Sequence, residues 1–442
     1  AAGLLSLLVI IFAPWIVAVV LQPGRPPEVQ ALTVALVRVM MLTPAIFSVS
    51  GLLMGILQTY QRFLLPSLAI SMNNVGLIIG ALVLAYVVPP QPGSPAQVGG
   101  ANVYGLAWGA VLSAALHLLV QLPALRGLWS STARLRVLAD WRVSGVREVL
   151  MLMLPRVLGL GVAQLNFIVN VNFASRMVTG SQTALSAAWN LMFFALGVIG
   201  QSVGTAIFPS LAALAAEGDM PGFKARLAAA LRSVLFLALP ATAVLVILGQ
   251  PLITLLFERR QWTAESSAAT AWALAFFALG IAGHAGLELL SRAFYALSDT
   301  RTPVLAAVVS LLTNIVLSAV FIQFIGQSDS LTRGPFAGLA LANSVTTLLE
   351  ALALWWLLRR RIGDLNDRRV LDGILRTAGA TAALVAALLV AQALLAERLP
   401  MALYAVIALG IGGVVFSGAS LALRLDEPRA VLGVVLRRFR RG

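Results

Sequence analysis

One apolar stretch carries polar side chains at helical spacing and is the best candidate for binding chemistry. Its small or polar residues recur at i, i+3, i+7, i+10 and i+14, namely Arg156, Gly159, Ala163, Asn166 and Asn170. At about 100° per residue these five fall within about 80° on one helical face. A guanidinium and two amides in hydrocarbon need partners or water, so this face is predicted to line a bundle interior or a wet cavity. The alternatives are interhelical hydrogen bonds for the asparagines and snorkelling of Arg156 to the interface.

Other apolar segments carry similar polar positions. The further candidates for a cavity surface are Arg38, Asn74, Asn190, Gln201, Glu288 and Arg292, with His117, His284, Asn314, Ser318 and Glu350 as weaker ones. Small residues accompany many of them, so each stripe is also compatible with simple helix packing. Glu288 and Arg292 stand at i and i+4, which also suits an intrahelical ion pair. Guanidinium groups suit phosphate, so the arginines favour an anionic substrate.

Motifs for catalysis and cofactor binding are missing from the sequence. It contains no P-loop, protein-kinase set, HExxH or GxSxG pattern. It has no cysteine and only two histidines, neither within a cluster of metal ligands. We therefore expect no enzyme, no cofactor and no metal centre.

The elements that position these residues must be membrane helices. The chain has 442 residues, of which 60% are hydrophobic and 11% charged, with a mean hydropathy of +0.94. These values and the continuous apolar runs predict an all-α, multi-pass membrane protein and exclude a β-barrel. The net charge of +14 is assigned to cytoplasmic loops and not to nucleic-acid binding.

Twelve apolar runs are long enough to span a bilayer. They are 3–22, 32–57, 66–89, 103–125, 148–175, 184–214, 226–257, 266–297, 303–325, 337–358, 373–395 and 400–424. An even number places both chain ends on one side. That side holds 23 of the 31 basic residues, the other holds six, and two lie within spans. The bias predicts cytoplasmic ends for the chain.

An internal repeat divides the sequence. Tyr104-Gly-Leu-Ala opens the fourth span and Ala337-Gly-Leu-Ala opens the tenth, a register that places His117 opposite Glu350. The segment 60–66 resembles 295–303 in the same way. Because the matched spans are six apart, they predict two parallel, pseudo-symmetric lobes. Spans five and six have no partner in the first half, so two N-terminal helices are expected to be missing, giving fourteen in all.

The repeat predicts five regions. They are an N-lobe at 1–125 with four of six helices, an amphipathic cytoplasmic linker at 126–147, a C-lobe at 148–358, two extra C-terminal helices at 373–424 and a basic tail at 426–442. The linker and the tail are expected to lie along anionic membrane lipids. The two extra helices hold few polar residues, so they are expected to offer an apolar groove to a lipid tail.

Three segments resemble the MurJ (MviN) lipid II flippases. They are Leu152–Asn166, Ser291–Pro303 and Phe208-Pro-Ser-Leu, and the stretch Leu32–Thr43 also fits. The resemblance covers nearly the whole chain, from the family's third helix to its fourteenth. It implies the fold of the multidrug/oligosaccharidyl-lipid/polysaccharide (MOP) exporters. It also implies alternating access that moves an undecaprenyl-pyrophosphate-linked glycopeptide from the inner to the outer leaflet of a bacterial plasma membrane, without ATP hydrolysis and alongside cell-wall synthesis or division proteins.

The sequence departs from the family pattern at charged positions. Asn190 stands where the family usually has an arginine, and Asn170 stands where some members have an aspartate. For those members the resemblance implies a sodium ion bound near that aspartate, together with an asparagine and an acid of the ninth helix. Here Asn314 is kept but the acid position is Ser318, so only a remnant of a sodium site is expected. The phosphate-binding role is predicted to pass to Arg156.

These departures leave two other functions open. One is a related exporter of another polyprenyl-linked oligosaccharide, or a drug/cation antiporter with Glu288 as the coupling acid. The other is a non-transporting paralogue that acts as a membrane scaffold. The missing charges at Asn170 and Asn190 are what favour the scaffold.

Overall fold

The predicted all-α membrane protein is confirmed. The computed structural model describes residues 2–89, 101–125, 157, 161, 164–259, 261–425 and 427–428. Within these residues ten helices are long and apolar enough to cross a membrane, or eleven if a bent pair counts as one span. The predicted count of twelve is not reached in this part of the chain, because the span 148–175 lies largely outside it. The linker at 126–147 and nearly all of the tail at 426–442 lie outside it too.

The helices are numbered in chain order. They are α1 Ala2–Leu21, α2 Pro27–Thr59, α3 Leu64–Val87, α4 Val103–Ala124, α5 164–175, α6 Ser181–Glu217, α7 Met220–Phe257, α8 Ala264–Ala278 with Ile281–Ala296, α9 Arg301–Phe324, α10 Phe336–Ile362, α11 Asp367–Leu395 and α12 Met401–Ala422. Helix α7 starts six residues before the predicted span. Asp219 caps it by accepting the Gly222 N–H at 2.9 Å, and the charged first turns escape a search for apolar runs.

The chain divides into two compact units, Ala1–Leu150 and Met151–Gly442. In the first unit, α3 and α4 pack backbone against backbone through glycines. A Cβ built on Gly76 would lie 2.3 Å from the Ser113 Cα, and one on Gly105 would lie 2.1 Å from the Leu84 carbonyl oxygen. Such contact is the usual way in which membrane helices associate through small residues.

The second unit contains the main core, in which helices α6, α7, α8 and α10 share the buried apolar side chains. Phe223, Leu231, Leu274, Phe294 and Phe336 are at most 2% exposed. Helices α11 and α12 attach to α7 through a smaller cluster that includes Leu248, Leu384, Leu388 and Tyr404. The unit therefore forms a continuous scaffold around the polar positions of α5, α6, α8 and α10.

Helix α8 is broken where one continuous span was predicted. Its two halves meet at a bend of 46°. A bend frees carbonyl groups, which need new donors inside a membrane. Ser344 of α10 donates its hydroxyl to the carbonyl oxygens of Phe276 and Phe277 at 2.7 and 3.2 Å, and Thr242 of α7 donates to that of Ala278 at 2.9 Å. Two neighbouring helices thus stabilise the break.

Helix α6 contains a π-helical turn at Gly197–Gln201. An inserted residue shifts the side chains that follow it around the helix relative to those before it. Asn190, before the turn, lines neither cavity of the unit that is described below, whereas Gln201 at the end of the turn lines one of them. The turn therefore separates two of the predicted site residues.

Candidate functional site

Two neighbouring cavities lie inside the second unit, where polar side chains of several helices converge. The first, which we name the Glu350 cavity, has a volume of about 420 Å³ and is contributed by α5, α6, α8, α9 and α10. Its wall includes Asn166, Asn170, Trp189, His284, Glu288, Asn343, Thr347 and Glu350. Most of its remaining lining is apolar, as is usual for small-molecule sites.

The second cavity, which we name the Arg292 cavity, has a volume of about 440 Å³. Its wall includes Phe193, Gln201, Phe208, His284, Glu288, Arg292 and Tyr295. Four residues border both cavities, namely Phe193, His284, Leu287 and Glu288. A ligand in one cavity therefore contacts residues that also line the other.

Glu288 and Arg292 form the ion pair that their spacing allows. The Arg292 Nη2 and Nε donate to the same carboxylate oxygen, Oε1, at 2.5 and 3.1 Å. Gly204 of α6 makes room for the pair, because a Cβ there would lie 2.9 Å from the Arg292 Nε. The remaining guanidinium N–H groups are available at the wall of the Arg292 cavity. This arrangement can place a fixed positive group against an anionic ligand.

Asn166 and Asn170 of α5 lie on the wall of the Glu350 cavity. The Asn170 Nδ2 donates to the Asn166 Oδ1 at 2.8 Å and to the Asn166 carbonyl oxygen at 3.1 Å. The Asn170 Oδ1 is buried without a hydrogen-bond partner. Arg156, predicted on the same face, lies outside the described residues.

The other predicted site residues are scattered. Arg38 is exposed, and its Nε donates to the Ile10 carbonyl oxygen at 3.4 Å. Asn74 is exposed on α3, and Asn190 lines neither of the two cavities. Both Arg38 and Asn74 belong to the first unit, whereas the two cavities are built by the second.

Asn314 and Ser318, the predicted remnant of a sodium site, are fully buried in α9. The Ser318 hydroxyl donates to the Asn314 Oδ1 at 3.4 Å, so the serine already uses the amide oxygen. The described residues contain no group of three or more acidic or histidine side chains that could hold a metal ion.

Several wall residues escape the sequence reading. Asn343 and Thr347 line the Glu350 cavity at i and i+4 on α10, and Glu350, already a weaker candidate from the sequence, follows at i+7. That spacing is a usable signal, because it marks one face of a helix. Trp189, by contrast, stands in an apolar run and carries no such signal.

The chain has relatives of known family. The sequence model of the family MurJ, described as lipid II flippase MurJ, matches residues 1–410. A lipid II flippase MurJ of Burkholderia cenocepacia is 33% identical over 364 residues, which cover 82% of this chain and 66% of that protein. A probable lipid II flippase MurJ of Vibrio cholerae is 29% identical, with 68% and 53% covered. The chain thus spans about half to two-thirds of the length of these two relatives.

Solved structures give the same fold. A lipid II flippase MurJ in an inward closed conformation matches with a TM-score of 0.72 at 21% identity, covering 95% of this chain and 81% of the other. An inward-facing multidrug resistance MATE family transporter of the MOP superfamily matches at 0.64 and 16% identity, covering 83% and 80%. Because the family model matches residues 1–410, the chain belongs to the MurJ family.

Proposed function

We propose that the protein is a flippase that moves lipid II, a lipid-linked peptidoglycan precursor, from the inner to the outer leaflet by alternating access. The observation that carries this proposal is the match to the MurJ family along residues 1–410. The repeated helix pairs α3–α4 and α9–α10 support it, because internal repeats are characteristic of alternating-access transporters. The protein would act in the bacterial plasma membrane with the ends of this chain on the cytoplasmic side, in keeping with its basic-residue bias.

In this proposal Arg292 contacts the anionic part of the substrate from the wall of the Arg292 cavity. Gln201 lines the same cavity and supplies a neutral hydrogen-bonding group. Arg38, Asn74, Arg156 and Asn190 stay predictions as further substrate contacts. An inside-negative potential favours export of each negative charge by about 2.3 kcal/mol per 100 mV, so ATP hydrolysis is not required.

Growth rescue tests the proposed function. The complete gene product would be expressed in a bacterium depleted of its own lipid II flippase, with its level in the membrane measured by immunoblot. Rescue of growth and of cell shape is expected. Failure to rescue at a normal membrane level would overturn the lipid II assignment and favour a scaffold or another exporter.

The role of Arg292 is tested in the same rescue assay by comparing two arginine variants. Arg292→Ala is expected to abolish rescue, because the cavity loses its guanidinium and Glu288 loses its partner. The matched control is Arg333→Ala, since Arg333 is exposed outside the cavities. Normal growth with Arg292→Ala would remove this arginine from the mechanism.

A further inference from the structure

The Glu350 cavity contains a carboxylate for which no residue that the structure describes supplies a countercharge. Of its two glutamates, Glu288 is bonded to Arg292. Glu350 forms no ion pair with any residue that the structure describes. A carboxylate within apolar helices is costly unless a cation or a proton compensates it. A positively charged ligand would supply the missing countercharge.

The wall beside this carboxylate is aromatic. The ring of Trp189 lies 5.3 Å from that of Phe277 and 4.5 Å from that of Phe193, and all three residues line the cavity. Aromatic faces attract organic cations and also bury their apolar parts. Such a wall is suited to a ligand that is both aromatic and charged.

One polar atom of the wall is buried without a partner, independently of the carboxylates. Thr347 lies on the same wall and is 5% exposed. The Asn170 Oδ1 is buried and unpartnered. His284, by contrast, has a hydrogen-bond partner, because its Nε2 donates to the Asn343 Oδ1 at 3.1 Å. Buried polar groups are normally satisfied, so the free Asn170 oxygen indicates a ligand that can donate a hydrogen bond.

We propose that the Glu350 cavity binds an amphiphilic organic cation. Its charged nitrogen lies beside Glu350, its aromatic part stacks on Trp189 and Phe277, and its N–H groups reach Asn170 or Thr347. A volume of about 420 Å³ suits a small organic molecule, and a bare metal ion would gain nothing from the aromatic wall. The site belongs to the second unit alone and stands whether or not the protein flips lipid II.

Ethidium, a planar aromatic cation, is a direct probe. The purified protein in neutral detergent would be titrated with ethidium, and binding followed by the rise in ethidium fluorescence. Saturable binding to the wild type is expected. Glu350→Gln should weaken it about tenfold or more, since each tenfold corresponds to about 1.4 kcal/mol. The matched control Glu265→Gln removes an exposed carboxylate outside the cavity and should bind like the wild type.

Two further measurements keep the proposal falsifiable. Phenanthridine, the neutral parent ring, should bind much more weakly than ethidium to the wild type. Glu350→Asp retains the charge and should keep most of the affinity, so it replaces the glutamine variant if that protein does not fold. Equal ethidium affinity of wild type and Glu350→Gln, equal affinity for the neutral ring, or no saturable binding by the folded wild type would each overturn the proposal. Growth rescue by Glu350→Gln is scored separately and tests only the flippase.

Discussion

The connection between α2 and α3 in the first unit and the connection between α8 and α9 in the second are two versions of one structure. Each contains a single non-glycine residue in the left-handed region, Gln61 at φ 59° and Ser298 at φ 58°. In the first, the Arg62 Nη1 donates to the Ala124 carbonyl oxygen at the end of α4, at 2.6 Å. In the second, Arg361 at the end of α10 donates to the Asp299 Oδ2, also at 2.6 Å. The tie lies at the same place, but the connection supplies the charged donor Arg62 in the first unit and the charged acceptor Asp299 in the second.

The helix pairs that follow repeat the same packing. Gly105 of α4 contacts the backbone of α3 at Leu84, and Gly338 of α10 contacts that of α9 at Phe321. These glycines are the corresponding positions of the two sequence repeats, as in Tyr104-Gly-Leu-Ala and Ala337-Gly-Leu-Ala. The predicted repeat thus has a counterpart in the local packing of each unit.

The two units differ on the face that follows these glycines. In the first, His117 is sealed inside a polar cluster: its Nδ1 lies 2.6 Å from the Ser50 Oγ, to which Gln121 donates at 2.7 Å. In the second, the corresponding Glu350 borders an open cavity. The register also places Ala114 opposite Thr347. The repeats therefore share their packing and differ in their chemistry, and this difference supports the proposed ligand site at the wall of α10.

The largest expected effect is on the shared packing. Gly105→Ala should destabilise the protein by about 3 kcal/mol, because its Cβ would lie 2.1 Å from a backbone oxygen that cannot move freely. Gly338→Ala should cost less, about 1–2 kcal/mol, since its nearest backbone atoms are at 2.8 Å. Thermal unfolding of the detergent-purified variants measures both. Gly55→Ala has open space around the new Cβ and should be neutral or stabilising; equal losses in all three would contradict the packing argument.

Substitutions at the corresponding positions His117 and Glu350 should differ in their effect on stability. His117→Ala should cost about 1–3 kcal/mol, because Ser50 and Gln121 lose a buried partner. Glu350→Gln should not destabilise the protein, because it breaks no ion pair of the described residues and removes an uncompensated carboxylate from a mostly apolar wall. A double-mutant cycle of His117→Ala with Ser50→Ala isolates the cluster by its coupling energy. A coupling energy of zero, or a large loss of stability from Glu350→Gln, would contradict the predicted difference between the two positions.

The helical architecture and the repeat can be predicted from the sequence, because the length of an apolar run and a repeated glycine motif are local properties. It also predicts the polar positions of Asn166, Asn170 and Glu288, which the structure places around one cavity. The break in α8 cannot be predicted from the local sequence. It depends on Ser344, a hydroxyl more than sixty residues away in the chain that supplies the missing donor. The cavity wall depends likewise on Trp189, whose position only the packed bundle defines.

The different ties at the two connections predict a difference in pH dependence. Burial alone would raise the pKa of Asp299, but hydrogen bonds from Thr302, the charge of Arg361 and a bond from the Arg301 N–H lower it overall. A lowered pKa stabilises the folded state above the ordinary aspartate pKa of about 4, and this contribution disappears as pH falls through the folded value. Asp299→Asn should therefore cost about 1 kcal/mol at pH 7 and progressively less below about pH 4.

The first unit should lack this dependence. Arg62→Ala removes a bond from a permanently charged donor to a carbonyl oxygen, so its loss of about 0.5 kcal/mol should be the same at both pH values. Thermal unfolding at pH 7 and below pH 4 compares the two variants. A constant effect of Asp299→Asn across that interval would show that its carboxylate is not the titrating group.

The smallest effect concerns the feature that the two connections hold in common. A side chain in the left-handed region costs about 1–2 kcal/mol. Glycine avoids this cost, but its more flexible unfolded chain offsets part of the gain. Gln61→Gly and Ser298→Gly should each stabilise the protein by about 0.5 kcal/mol, and together by the sum, since the two sites lie in separate units. Asn366 has the same backbone conformation at φ 60°, but asparagine tolerates it, so Asn366→Gly should have almost no effect. Stabilisation by only one of the two loop variants would mean that the connections are alike in backbone angle but not in the strain they bear.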